Sequence, residues 1–250
     1  MQETLPCGYF DPDDGVTDVI KTVEMVEMTG YEEDLLGNKS KQASGMAINE
    51  VLSRCLVSIG DIAPPKAGRG KFFMPHLDKM LVADRTFLMI RLRQLSLGDM
   101  FHFEAVCPNC KYRHRRAGID LSELERKEME EPTKREWDVE LPSKKMATFR
   151  ALIGKDERKL LTIKKQRKED LFSSLLMLRL TELDGEKVTS IAQIKGLTTK
   201  DRDFLRGRFD DSEGGLDTQI EMTCEDCGYE WQMALPIGES SFFFPSGINA

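Results

Sequence analysis

Apolar residues in the first half of the chain change their spacing several times, and each change marks an element. In VTDVIKTVEMVEMTGYEEDLL (16–36), Val16, Ile20, Val23 and Val26 are spaced mostly like a helix face, while Val19, Val23 and Met25 leave strand open; the segment reads as strand, ended by Gly30. Ile48, Leu52, Cys55, Leu56 and Ile59 then fall at helical intervals over 42–59, with Gly60 where a cap belongs. Cys55 on that stripe reads as a small core residue. APPKAGRGKFF (63–73) is a loop. Pro75 opens a predicted helix to Leu97, striped by Leu77, Leu81, Leu88, Leu92 and Leu95 and stopped by Gly98. Asp84 and Arg85 inside it read as a structural polar pair. From residue 100 the period becomes two: Phe101, Phe103 and Ala105 alternate with His102, Glu104 and Val106, leading into Cys107-Pro-Asn-Cys110 and a basic strand-like stretch, Lys111 to Arg116.

The second half repeats the contrast. SELERKEMEEPTKRE (122–136) is charged and expected on the surface, and 137–153 has strand character around a Pro142 turn. Leu160, Ile163, Leu171, Leu175 and Leu178 predict a helix over 156–183, ended by Asp184-Gly185. Its first half carries Arg158, Lys159, Lys164, Lys165, Arg167 and Lys168, which read as a solvated face. Thr198 or Thr199 is the expected N-cap of a short helix to Phe209, and alternation returns from Thr218 to Thr223 before a second CxxC.

Composition narrows the class. Of 250 residues, 40% are hydrophobic and 32% charged, and no apolar run is long enough to span a bilayer. The opening MQETLPCGYFDPDD lacks a secretion-signal pattern, so a cytosolic chain is expected. The net charge of −7 is concentrated at the start: residues 1–34 hold ten acids against Lys21 alone, leaving the remainder at +2. An acidic arm on a near-neutral body argues against general nucleic-acid binding. The arm either meets a basic partner through Asp11, Asp13, Asp14, Glu32, Glu33 and Asp34, or is simply solvated.

The six cysteines carry the chemistry. Cys7 and Cys55 stand alone, whereas Cys107, Cys110, Cys224 and Cys227 form two CxxC pairs, each between a strand and a short return strand. Two intervening residues let the backbone fold into a tight knuckle that aims both thiolates at one tetrahedral ion. Gly228 gives one turn its freedom and Pro108 stiffens the other. Four thiolates leave no open position for water, so the expected Zn2+ is structural. An iron–sulfur cluster or a redox dithiol is the alternative, though neither knuckle opens the helix a thioredoxin-like site needs. His102 and His114 flank the first knuckle, where either could replace a ligand, but they read first as spare surface histidines. There is no HExxH and no GxSxG, and the glycine loop before Phe72 lacks the Ser or Thr of a phosphate loop. No enzymatic activity is expected.

DRDFL, FDDSEGGLDTQIEMTCEDCGYEW and LPIGESSFFFP follow one another from Leu197 to the C-terminus, with EMTGYEED (27–34), the strand into CPNC and TFRALIGKDE (148–157) upstream. This ordered set resembles the baseplate-hub assembly proteins, often called hub assembly chaperones, of T4-type contractile-tailed phages and related injection systems. The resemblance implies a non-enzymatic part in tail construction, near the hub and tape-measure proteins, in the host cytoplasm during assembly or in the tail itself. It maps the family's cysteines onto Cys107, Cys110, Cys224 and Cys227.

The expected fold is α+β: a helical body with a split four-cysteine zinc ribbon, two β-hairpin knuckles separated by a mainly helical insertion. Residues 1–99 would form the acidic arm and helical region, 100–120 the first ribbon half and 121–216 the insertion. Residues 217–250 would hold the second half and an aromatic tail. In that tail Phe242, Phe243 and Phe244 either fold into the core or anchor a partner. The competing function is a zinc-ribbon nucleic-acid binder using KYRHRR, although no specific nucleic acid and no membrane is the expectation.

Overall fold

The computed structural model describes residues 1–38, 46–65, 70–166, 170–237 and 242–243. Gln2–Asp11 (β1) and Val16–Met25 (β2) form an antiparallel hairpin, turned by a 3₁₀ step at Pro12–Asp14 and by Gly15 with φ 81°. Leu5, Cys7 and Tyr9 recur at period two on β1 and are buried, as are Val23 and Met25 on β2. Residues 1–34 are therefore not a solvated arm; they form a hairpin whose inner face is core and the start of the helix that follows.

The helix Gly30–Gly37 (α1) starts with a capping box between Thr29 and Glu32. Met46–Cys55 (α2) is shorter than its periodicity predicts, because Leu56–Ile59 (β3) pairs with β2, Val23 opposite Ile59. The open hydrogen-bonding edge of β2 outweighs the helical spacing of Leu56 and Ile59. Gly60 turns the chain after that strand, with φ 54°. The predicted helix from Pro75 is two helices, Met74–Lys79 (α3) and Val82–Leu97 (α4). The break falls where Leu81 turns extended to bridge Ile153.

Asp84 and Arg85 do not pair with each other. β1 slips out of register between Thr4 and Tyr9, and Asp84 accepts the amides of Cys7 (2.8 Å) and Gly8 (2.9 Å) there. Gly8 has φ 92°, and a Cβ on it would lie 2.5 Å from Val19. Arg85, fully buried, spans three elements: Asn49 on α2, the Leu77 carbonyl on α3 and Glu157 beyond. Each is a satisfied buried ion.

Met100–Val106 (β4) and Arg113–Asp120 (β5) form the next hairpin. Arg126–Lys127 (β6) later pairs antiparallel with Gly215–Leu216 (β11), so residues 128–214 leave and return side by side. Within that segment Glu136–Glu140 (β7), Met146–Arg150 (β8), Leu180–Leu183 (β9) and Glu186–Lys187 (β10) make a sheet of order β10-β9-β8-β7. Gly154–Gln166 (α5) meets α3 and α4, whereas Leu171–Arg179 (α6), Ile191–Lys195 (α7) and Thr199–Ser212 (α8) lie against the sheet. Phe149, Leu176, Leu180, Ile194, Leu205 and Phe209 form a core of their own.

Among the described residues the segment thus carries a four-stranded sheet beside its four helices. The helix predicted over 156–183 gives way to strand at Leu180, which pairs with Phe149. Residues 167–169, with Arg167 and Lys168, lie outside the described ones. Thr198 is the N-cap, its hydroxyl accepting the Asp201 amide. Gln219–Thr223 (β12) and Glu230–Ala234 (β13) close the fold as a last hairpin.

Candidate metal centre

The hairpins β4–β5 and β12–β13 end in two knuckles of the same build. The Cys107 amide donates to the Tyr112 carbonyl (2.9 Å) and the Lys111 amide returns to the Cys107 carbonyl (3.1 Å). The second knuckle repeats this with Cys224 to Tyr229 (2.9 Å) and Gly228 to Cys224 (2.9 Å). The residue after the second cysteine is left-handed in both, Lys111 at φ 64° and Gly228 at φ 69°. The next amide, of Tyr112 or Tyr229, bonds to the sulfur of Cys110 or Cys227. Asn109 adds a side-chain N–H to the Cys227 sulfur at 3.6 Å, so the first knuckle reaches across to the second.

All four sulfurs lie within 4.8 Å of one another. Cys107 Sγ is 3.8 Å from Cys227 Sγ, and Cys110 Sγ is 3.6 Å from Cys224 Sγ. A disulfide needs about 2.05 Å, so none is present. A tetrahedron of zinc–sulfur bonds of about 2.3 Å has edges of about 3.8 Å. The observed separations fit that polyhedron. Cys107 and Cys224 are buried while Cys110 and Cys227 face outward.

The thiols differ in acidity. The Tyr229 amide at its sulfur, with Asn109 helping, draws Cys227 down to about 6. At Cys110 the Tyr112 amide pulls the same way, but desolvation and hydrogen bonds with the other three thiols push it up to about 12. A cation among the sulfurs would favour the thiolate form.

The remaining candidates scatter. Asp11 is buried, accepting from the Tyr9 hydroxyl at 3.1 Å and pairing with Lys79 at 2.8 Å. Lys79 also bonds to exposed Asp14 and holds its carboxyl below the usual range, while Asp13 is exposed. Glu32 is buried in its capping box, whereas Glu33 and Asp34 are exposed on α1. These acids form no single site. Phe242 and Phe243 are buried in the main core, Phe242 edge-on to Phe101 at 5.0 Å. Phe244 lies outside the described residues. His114 is no surface histidine: it is buried between Tyr112 (4.9 Å) and Trp231 (5.8 Å), linking the two hairpins through ring contacts. The sequence reading missed Lys111; its left-handed backbone is signalled only by alignment with Gly228.

The T4 bacteriophage base plate protein family matches residues 16–140, half of this chain. The chain belongs to that family. No curated protein and no solved structure matches it. The matched stretch runs from β2 through β7 and takes in EMTGYEED, Cys107 and Cys110. Cys224, Cys227 and the C-terminal motifs lie beyond it. Membership makes this a phage baseplate protein, one that works among other tail and baseplate proteins. No helix among the described residues is long and apolar enough to cross a membrane.

Proposed function

We propose that this baseplate-family chain is a non-enzymatic hub-assembly factor, a chaperone, adaptor or hub component that binds the hub and tape-measure proteins of a contractile tail. Assembly would take place in the host cytoplasm. Cys107, Cys110, Cys224 and Cys227 hold one structural Zn2+, and the two hairpins are the halves of a ribbon split by residues 128–214. The observation that carries the reading is the family match, which contains the first knuckle. The paired knuckles support the metal: a shell of four thiolates gives a closed ion with no room for a substrate. The return of residues 128–214 through β6 and β11 supports the split ribbon, since the hairpins need no help from that segment's own core.

The ion's contribution is mechanical. Each hairpin alone is a two-stranded ribbon of marginal stability, and four shared bonds make one unit of them. Purified protein should carry about one zinc per chain, and Cys224→Ser should lose it and melt earlier. Retention of both zinc and melting temperature in that variant contradicts the split ribbon. Function is tested by co-expressing the chain with each protein encoded by the adjacent tail genes. A folded, zinc-loaded chain that retains none of them contradicts the assembly role.

A further inference from the structure

Strand β5 carries three arginines, Arg113, Arg115 and Arg116, in a setting unlike the rest of the molecule. Simple alternation would send Arg116 inward beside His114. A bulge prevents this. Phe103 pairs with Ala117 and Ala105 with His114, so Arg115 and Arg116 together stand opposite Glu104. Phe103, Ala105 and His114 are buried, while Arg113, Arg115 and Arg116 are all exposed. The extra residue thus puts all three guanidinium groups on the outward face of the hairpin.

The side chains of these three also have no ion pair, hydrogen bond or ring contact among the described residues. Every other arginine whose side chain is described has a partner: Arg126 with Glu128, Arg150 with Asp156 and Arg179 with Glu213 are examples. Even Arg206 and Arg208, on an exposed helix face, find acids one turn away. Arg113 to Arg116 line a shallow groove with Tyr112 and Glu225, beside the first knuckle. Charge on an edge strand does deter sheet-edge pairing, but that purpose needs no bulge and no gathering on one face.

We infer that Arg113, Arg115 and Arg116 form a docking face for a carboxylate-rich segment of a tail protein. This rests on the assembly reading above and gives it a surface. Arginine forks match carboxylates two bonds at a time, and exposed Tyr112 offers a ring beside them. A polyphosphate is the poorer fit. Glu104 on the same face and Glu225 on the groove wall would repel a continuous backbone, and three guanidiniums on a chain of net charge −7 neutralise few phosphates. Discrete carboxylates can seat between those acids. The knuckle fixes one end of β5, which limits the ordering cost of docking.

The test compares the full zinc-loaded chain with R113Q/R115Q/R116Q, checking zinc content and melting so that folding is held equal. A fluorescent deca-glutamate peptide and a single-stranded DNA decamer serve as probes in anisotropy titrations at low and physiological salt. The peptide should bind the parent about ten-fold or more tighter than the variant, and the preference should shrink with salt. Equal peptide binding by parent and variant overturns the proposal, as does tighter binding of the DNA. A parallel arm co-expresses each chain with the adjacent tail proteins. Capture by the parent and loss by the variant supports the face. Equal capture by both overturns the face and leaves the assembly role standing; capture by neither, with the peptide preference intact, removes the assembly role alone.

Discussion

Replacing Phe242 with alanine separates the two roles left open for the aromatic tail. The side chain is 0% exposed and meets Phe101 and Phe243 edge-on, each at 5.0 Å. Burying a side chain of this kind is worth about 2–3 kcal/mol by transfer, and each aromatic pair adds about 0.5–1.5 kcal/mol. Truncation also leaves a cavity, and Phe→Ala changes in packed cores cost about 3–5 kcal/mol altogether. For a chain of this size each kcal/mol moves the melting point by about 2–4 °C, so Phe242→Ala should melt about 10 °C lower. Phe172, 67% exposed on α6, is the control, and its alanine variant should stay within about 0.5 kcal/mol of the parent. Circular dichroism melts and urea titrations of the zinc-loaded protein read both. Should Phe242→Ala melt like the parent while losing a tail protein, the aromatics belong to an interface and the packing argument fails.

The matched knuckles predict opposite effects at equivalent positions. Lys111→Gly relieves a left-handed non-glycine residue and should gain about 1 kcal/mol in denaturant unfolding, whereas Gly228→Ala, with no atom within 4 Å of the added Cβ, should lose about 1 kcal/mol for backbone reasons alone. Both should keep their zinc; a gain at Gly228 would contradict the equivalence of the turns. Asp84 gives a pH signature. Burial pushes its carboxyl up to about 6 from an ordinary 3.8, against the pull of the Cys7 and Gly8 amides. Between those values the folded chain holds more protons than the unfolded one, so this group's contribution to stability rises as pH falls from 7 toward 4, by about 3 kcal/mol. Acid also loosens thiolate–metal bonds, so the readout is the difference between Asp84→Asn and the parent in urea midpoints at pH 4.5 and 7; identical pH slopes would sink the assignment.

The elements legible in the sequence were those whose signal is local. CxxC needs only its own turn, so Cys107, Cys110, Cys224 and Cys227 were read directly, and the strands flanking them followed from alternation. The Thr198 cap was equally plain, because its hydroxyl serves an amide three residues on. Elements decided at a distance were missed. β3 is strand because β2 offers it an edge, and α4 starts afresh because Leu81 is claimed by Ile153. β1 carries period two in Leu5, Cys7 and Tyr9, but Pro6 and Gly8 interrupt the alternation with residues that favour turns, and the register slip there is set by Asp84. At the centre, the arginines of β5 were visible as a basic run. Their common face was not, since it depends on a bulge set by the pairing with β4.

The two halves of the centre are made far apart in time. Between Cys110 and Cys224 lie 113 residues, and a ribosome adding roughly 5–20 residues per second takes on the order of ten seconds to cross them. During the later part of that interval the first pair of thiols is outside the ribosome while the second pair has yet to be made. A chain that stops early, or whose middle segment fails to bring β11 back to β6, never completes the set. Closure of the four sulfurs therefore reports that synthesis has passed Cys227 and that the long segment between them has folded home.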